Sequence, residues 1–324
     1  MTPLLEVRQL VKHYHSGGWL TGGSRTVYAV NGVSFEVEPG ETLALVGESG
    51  CGKSTVGRTV LRLMEPTSGS VLFEGADLGG LDRKELRTLR RRMQIVFQDP
   101  YSSLNPRLTV GASVAEGLEI HRLLPKPEIP SRVAGLLEEV GLDPAMAERY
   151  PHEFSGGQRQ RIGIARALAV EPSFLVCDEP VSALDVSVQA QILNLFNDLQ
   201  RRRGLAYLFI AHDLAVVRQI AHRVAVMYLG VIVEEGPSET VISRPRHPYT
   251  RALISAVPVP DPERQRMRIV LPGDPPNPTV RPPGCPFYSR CFHPSRNERC
   301  TAETPPLREV DGRLAACHYA EEVV

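Results

Sequence analysis

Three short stretches carry side chains whose types and spacing suit phosphate chemistry. The first runs from Gly47 to Ser54 and reads Gly-Glu-Ser-Gly-Cys-Gly-Lys-Ser, which fits the pattern G-x-x-x-x-G-K-[ST]. It follows the apolar run 43–46, typical of a buried parallel strand, and precedes a stretch typical of a helix. In such a loop the backbone N–H groups turn towards phosphate oxygens, and the helix N-terminus adds partial positive charge. We therefore expect Lys53 to reach the β- and γ-phosphates of a nucleotide, and Ser54 to bind Mg²⁺.

The second stretch, Cys177-Asp178-Glu179-Pro180, closes another apolar run that begins at Phe174. Acidic residues at the carboxyl end of a strand lie where open α/β sheets bind their ligands. We expect Asp178 to hold Mg²⁺ through water. Glu179 faces the other way from the strand and is expected to polarise the attacking water, a role typically worth about 10²–10⁴ in rate.

The third stretch is Phe154-Ser155-Gly156-Gly157-Gln158, which precedes the helical stretch 158–169. Serine is a good residue to cap the start of a helix, and two glycines allow the backbone to approach an anion closely. Alone, this element predicts one more anion site. Facing a phosphate loop of another chain, it predicts a clamp on the γ-phosphate.

Together, and in this order, the motifs resemble those of the ATP-binding subunits of ABC transporters over nearly the whole chain. The resemblance implies an ATPase in which each ATP lies between the phosphate loop of one subunit and the signature motif Ser155–Gln158 of the other. It implies that Tyr14 stacks on adenine, with Tyr28 as the alternative, and that Gln98 touches Mg²⁺ or the attacking water and senses the membrane partner. His212 is expected to contact the γ-phosphate. The expected nucleotide-binding residues are Tyr14, Gly47, Glu48, Ser49, Gly50, Cys51, Gly52, Lys53, Ser54, Thr55, Gln98, Ser155, Gly156, Gly157, Gln158, Asp178 and the D-loop residue Asp185. The expected catalytic residues are Glu179, His212 and Gln98, and the expected Mg²⁺ residues are Ser54, Gln98 and Asp178.

A closer resemblance is to the ATPases of oligopeptide and dipeptide importers, carried by residues 97–107, 150–154 and 247–253. Residues 257–262 and the long N-terminal loop resemble the second, or F-type, ATPase of these importers. This implies a second, non-identical ATPase, two transmembrane permease subunits, an extracytoplasmic peptide-binding protein reached indirectly, and a place on the cytoplasmic face of the inner membrane. The alternatives are another solute (nickel, glutathione or a sugar), an exporter, or a soluble ABC-type ATPase acting on ribosomes or DNA.

Size and composition set limits on these possibilities. A chain of 324 residues is too long for one compact core and predicts two or three subdomains. Its formal net charge is zero, which gives no indication of a nucleic-acid partner. No apolar run reaches the roughly 18–20 residues that cross a bilayer, and the N-terminus lacks a signal-peptide core. We expect the chain to reach a membrane through partner proteins.

The periodicity of the chain predicts an α/β fold: a phosphate-loop NTPase core, in which a parallel sheet is flanked by helices, with an antiparallel β layer. Residues about 100–165 change to a helical period and form the expected helical subdomain, which carries Ser155. We place an ABC-type nucleotide-binding domain at 1–255 and a Cys/Pro-rich C-terminal extension at 256–324. No internal repeat is visible, so the second cassette of a clamp must come from another chain.

The extension carries four cysteines: Cys285, Cys291, Cys300 and Cys317. A proline-rich segment buries little apolar surface and needs something to fasten it. Structural disulfides are unusual in a cytosolic protein, so the cysteines indicate metal ligation. The spacing C-x5-C-x8-C-x16-C does not name the metal. Similar tails in the peptide-importer branch imply a [4Fe–4S] cluster; His293 and His318 keep Zn²⁺ as the alternative, and unligated thiols remain a third.

Overall fold

The computed structural model describes residues 2–16, 25–257 and 268–323. Two segments that resemble F-type ATPases, the N-terminal loop at 17–24 and residues 258–262, lie outside these ranges. The strands are β1 Leu5–Ser16, β2 Arg25–Val37, β3 Thr42–Val46, β4 Ser68–Phe73, β5 Ala76–Asp77, β6 Met93–Val96, β7 Phe174–Asp178, β8 Ala206–Ala211, β9 Arg223–Tyr228, β10 Val231–Pro237, β11 Arg308–Val310 and β12 Arg313–Ala315. The helices are α1 Lys53–Val60, α2 Arg83–Arg90, α3 Val110–Ile120, α4 Ile129–Glu139, α5 Gly156–Leu168, α6 Val186–Arg203, α7 Leu214–Ile220, α8 Ser238–Ser243, α9 Pro248–Ser255 and α10 Arg299–Ala302.

The chain divides into two compact units. One comprises Met1–Glu36, Thr42–Gly79 and Ala211–Val324, and the other comprises Val37–Glu41 and Gly80–Ile210. Both combine strands with helices, so the predicted α/β class is confirmed. The expected domain boundary between residues 255 and 256 stays a prediction.

The first unit contains two groups of strands. β1 pairs antiparallel with β4, and β4 with β5, in the layer ordered β2-β1-β4-β5. In the other group β3 runs parallel to β9, which pairs antiparallel with β10. All five residues of β3 are buried, and the chain passes from β3 directly through the phosphate loop into α1. The antiparallel layer and the strand before the loop are therefore present as expected.

The C-terminal extension is fastened to this unit by backbone pairing. β12 pairs antiparallel with β10, with Glu234 opposite Ala315, and β11 adds the next strand. The buried side chains of Val310, Ala315 and Ala320 form a small core of their own. This pairing supplies the anchorage that a proline-rich segment requires, at least for residues 268–323.

The second unit contains a parallel sheet and the helical segment. β6, β7 and β8 run parallel and in register, with Met93 opposite Phe174 and Phe174 opposite Ala206. Every residue of β7 is buried, as the apolar run predicted. Helices α3, α4 and α5 lie within this unit and correspond to the expected helical subdomain.

Among the residues that the structure describes, no helix has the length and apolar character needed to cross a bilayer.

Candidate functional site

The phosphate loop has a backbone shape that only glycine permits at two positions. Gly52, the residue before α1, has φ 106°, and a Cβ there would lie 2.1 Å from the carbonyl oxygen of Ala29. A Cβ on Gly47 would lie 2.2 Å from the carbonyl oxygen of Met227. Since real Cβ contacts are essentially never this close, the loop packs directly against the backbone at Ala29 and Met227 and leaves no room for a side chain at either glycine. Burial raises the pKa of the Cys51 thiol, so this residue is a packed apolar group rather than a reactive nucleophile.

Lys53 is buried with its ammonium group inside the loop. Its Nζ donates to the carbonyl oxygens of Gly47 at 2.8 Å and Glu48 at 3.0 Å. Only 4% of the residue is exposed, so the charge is directed at the concave backbone rather than at bulk water. The lysine therefore keeps the loop curved and presents a positive charge where phosphate oxygens bind in loops of this sequence.

Glu48 is held by residues far from the loop in sequence, which no sequence pattern indicated. Its backbone N–H donates to Tyr249 Oη at 2.8 Å, and its carboxylate accepts from Arg290 Nη1 at 2.7 Å and Nη2 at 3.2 Å. Tyr249 lies on α9, and Arg290 lies in the C-terminal extension. No sequence motif links positions so far apart. The one available signal was that Tyr249 falls in segment 247–253, which carried part of the closer resemblance.

In the second unit, Gln98 and Glu179 meet. Gln98 Nε2 donates to Glu179 Oε2 at 3.0 Å across 81 positions of sequence. Glu179 has φ 46°, in the left-handed region that non-glycine residues rarely adopt, and its N–H donates to the carbonyl of Ile210 at 3.1 Å. Asp178, at the end of β7, is 1% exposed. Residues in this backbone conformation cluster at functional sites, and in this structure the carboxylate of Glu179 meets the side chain of Gln98.

The signature motif begins α5 as expected. Ser155 Oγ accepts from the N–H of Gln158 at 3.3 Å, and Gln158 Oε1 accepts from the N–H of Ser155 at 3.0 Å, which together form a capping box. Ser155 is exposed. A Cβ on Gly157 would lie 2.4 Å from Cγ1 of Val188, so this glycine allows the start of α5 to pack against α6. The start of α5 is thus capped by its own side chains, packed against α6 at Gly157, and exposed at Ser155.

The D-loop lies beside the signature motif. Asp185 caps α6, because its Oδ1 accepts from the N–H of Val188 at 3.0 Å and from the hydroxyl of Ser187 at 2.7 Å. The hydrogen bond from Val188, followed by that from Ser187, lowers the pKa of Asp185. Gln160 Nε2, one turn into α5, donates to the carbonyl of Phe97 at 3.4 Å, next to Gln98. One unit therefore joins Gln98, the helix α5 that begins at the signature motif, and the D-loop residue Asp185.

Two residues predicted to contact the nucleotide, Tyr14 and His212, lie outside the motifs described above. Tyr14 Oη contacts Met64 Sδ at 3.1 Å, and Lys12 Nζ lies 5.2 Å from the centre of its ring. Tyr28 packs edge-on against His13 at 4.8 Å between ring centres. Both tyrosines are half-buried, so exposure does not favour one over the other for stacking on adenine. The stacking role of Tyr14 stays a prediction. His212 is exposed in the turn between β8 and α7.

The four cysteines of the extension are free thiols that lie near one another. The N–H of Cys285 donates to the carbonyl of Cys300 at 2.9 Å, and after burial the other three cysteines lie close enough to Cys317 to raise its pKa further. Burial raises the pKa of Cys285 to about 11 and that of Cys317 to about 12. Burial likewise raises the pKa of Cys291, because a buried site disfavours the charged thiolate.

The donor set fits a thiolate-bound metal, but its geometry is not that of a formed site. Within residues 2–16, 25–257 and 268–323, no group of three or more His, Cys, Asp or Glu side chains is placed to hold a metal ion. The Nε2 atom of His293 is buried without a hydrogen-bond partner in the same part of the chain. His318 Nε2 lies 3.0 Å from the carbonyl of Glu303. A four-cysteine set with a nearby unsatisfied imidazole is compatible with iron–sulfur or zinc chemistry.

Comparison with protein families gives two matches. Residues 30–182 match the ABC transporter family model, and residues 233–300 match the model for the oligopeptide/dipeptide transporter C-terminal region. A "probable peptide ABC transporter ATP-binding protein" of Sinorhizobium fredii is 57% identical over 97% of this chain and 89% of its own length. A di/tripeptide transport ATP-binding protein of Pseudomonas aeruginosa is 51% identical over 99% of both chains.

Solved structures agree with these matches. The dimeric ATP-binding cassette MJ0796, in a post-hydrolysis state with ADP and Pi, is 30% identical with a TM-score of 0.65, over 72% of this chain and 98% of that one. CbiO1 of Clostridium perfringens, part of an ABC transporter complex, is 29% identical with a TM-score of 0.64, over 74% of this chain and 91% of that one. The resemblance that the motifs indicated is thus confirmed across the cassette and its extension. The chain belongs to the ABC transporter ATPases, in the branch that carries the oligopeptide/dipeptide transporter C-terminal region.

Proposed function

We propose that this ATPase powers the uptake of dipeptides and short oligopeptides through an ABC importer. The observation that carries the proposal is the joining, in one chain, of an ABC cassette with the oligopeptide/dipeptide transporter C-terminal region at 233–300. The relatives described above are named for peptide transport. Catalytic motifs alone do not distinguish import of peptides from transport of nickel, glutathione or sugars, so the solute rests on this region and these relatives.

The chemistry follows from the residues in each unit. Lys53 and the loop N–H groups bind the phosphates of ATP, while Ser54 and Asp178 hold Mg²⁺. Glu179 polarises the attacking water. Its carboxylate accepts a hydrogen bond from Gln98, which therefore orients the base. His212 contacts the γ-phosphate.

The signature motif supports a clamp between two chains. Ser155 is exposed at the start of α5, and its hydroxyl is engaged in capping that helix, as shown above. The adjoining backbone N–H groups and the positive end of the helix dipole are suited to an anion supplied from outside. We propose that a second, non-identical ATPase supplies the facing phosphate loop. Two permease subunits hold the pair at the cytoplasmic face of the membrane, and an extracytoplasmic binding protein delivers the peptide.

Reconstitution tests this function. The chain is purified together with its permeases and second ATPase, and placed in liposomes with the cognate binding protein. We expect di- and tripeptides to stimulate ATP hydrolysis and to accumulate inside, whereas nickel, glutathione and sugars do neither. Stimulation by one of those solutes in place of peptides would reject the proposed substrate. Purification with ribosomes and without permeases would favour the soluble alternative.

We further propose that Cys285, Cys291, Cys300 and Cys317 hold a [4Fe–4S] cluster, with Zn²⁺ as the alternative. A bound metal would keep the four sulfurs as thiolates and act as a staple for a segment with little apolar core. Anaerobically purified protein is expected to be brown and to absorb at about 400 nm, as thiolate-bound iron clusters do. Cys317→Ser should remove the colour, and Cys177→Ser should not. A colourless protein with one equivalent of zinc would reject iron.

A further inference from the structure

Arg290 connects the C-terminal extension to the phosphate loop. It lies in the short helical turn Tyr288–Arg290, one residue before Cys291, and its side chain is 8% exposed. Both terminal nitrogens donate to the two carboxylate oxygens of Glu48, at 2.7 Å and 3.2 Å. This paired arrangement is the strong, directional form of an arginine–carboxylate interaction.

Neighbouring residues hold the segment around Arg290 and the polar groups of Glu48 in place. The ring of Phe287, three residues before Arg290, packs against Tyr228 at 5.2 Å and Tyr249 at 5.5 Å between ring centres. Tyr249 in turn accepts the N–H of Glu48, and Lys53 donates to the Glu48 carbonyl. Every polar group of Glu48 is therefore held, and two of the three partners lie outside the loop.

The charge of Glu48 makes this arrangement relevant to ATP. A carboxylate in a loop that binds polyphosphate repels its ligand unless a cation neutralises it. Arg290 supplies that cation from the extension, 242 positions away. We propose that Arg290 is a positioning residue for ATP binding. It neutralises Glu48 and holds the phosphate loop, so ATP affinity depends on how the extension packs. This inference rests on the phosphate-binding role proposed above for the loop.

The test compares MgATP affinity by calorimetry in the full-length protein and its variants. Arg290→Met keeps the volume of the side chain and leaves the Glu48 charge unpaired; we expect ATP to bind about tenfold more weakly, equivalent to about 1.4 kcal/mol. Adding Glu48→Gln to Arg290→Met removes that charge and should restore affinity to within about threefold of wild type. In ATPase assays KM should rise while kcat at saturating ATP changes less than about twofold.

Two further variants separate the possible outcomes. Arg308→Ala removes another arginine–glutamate pair of the extension, with Glu321, and should leave ATP affinity unchanged. Lys53→Ala reports on the loop itself: if it does not weaken ATP binding, the proposed phosphate role fails. If Lys53→Ala weakens binding but Arg290→Met does not, only the role of Arg290 is rejected. If the double variant binds ATP no more tightly than Arg290→Met, the role of Arg290 is also rejected, because a purely structural contact predicts no rescue of ATP affinity. Should Arg290→Met not fold, Arg290→Gln is neutral too and gives the same test.

Discussion

Replacing Glu179 by glutamine separates its catalytic role from its structural one. The amide keeps an oxygen that can accept the 3.0 Å hydrogen bond from Gln98, but it loses the negative charge and the basicity. The weakened hydrogen bond is expected to cost about 1 kcal/mol of folding stability at most. Loss of a general base costs about 10²–10⁴ in rate, which is about 2.7–5.4 kcal/mol of activation free energy. The catalytic effect should therefore greatly exceed the structural one.

The assay measures phosphate release at saturating ATP, together with ATP affinity and scattering mass. In the pair formed with the second ATPase, we expect hydrolysis at the site of this chain to fall at least about 100-fold, ATP affinity to be retained, and the closed pair to accumulate with ATP. Glu171→Gln is the matched control, because Glu171 also has a positive φ, 56°, and one side-chain partner, Arg132 at 3.1 Å. Hydrolysis at the wild-type rate by Glu179→Gln would refute the assignment of the base.

Three other results are expected. Lys53→Ala removes the ammonium group that bonds to two loop carbonyls and should weaken MgATP binding at least about tenfold in calorimetry; unchanged affinity would contradict its role. Gly157→Ala places a Cβ 2.4 Å from Val188 and should shift the start of α5, which lowers ATP-driven dimerisation while ATP still binds; dimerisation at wild-type ATP concentrations would argue against the clamp. Burial lowers the pKa of His247 to about 3, so the unfolded chain takes up a proton below pH 6.5 and the folded chain does not. The contribution of His247 to the free energy of unfolding should therefore fall by about 1.4 kcal/mol per pH unit as the pH drops from 6.5 towards 3. Glu234, whose pKa burial raises to about 7, gives the opposite slope between 4.5 and 7, and carboxylates with a lowered pKa, such as Asp185, add a slope of the same sign as that of His247 at lower pH. The contribution of the histidine is therefore read from the difference between the wild type and His247→Asn in denaturant titrations. His247→Asn should remove this contribution and flatten the pH dependence of stability at low pH. A variant with the pH dependence of the wild type would rule out His247 as its cause.

The short-range features of the site could be predicted from the sequence. The phosphate loop between β3 and α1, the capping box at Ser155 and the acidic end of β7 all depend on residues within a few positions of each other. Hydrogen bonds and steric limits at that range are fixed by residue type, since the chain has few ways to satisfy them. These are the parts for which motif and structure agree.

Long-range contacts were decided only by the tertiary structure. The hydrogen bond from Gln98 to Glu179 spans 81 positions and the ion pair of Glu48 with Arg290 spans 242. Neither has a local pattern, because which side chains meet depends on how the helices and strands pack. The left-handed backbone of Glu179 likewise has no sequence signal, since glutamate seldom adopts it. The sequence by itself determined that the chain is an ABC-type ATPase with a cysteine-bearing extension, while packing alone decided that the extension holds the phosphate loop.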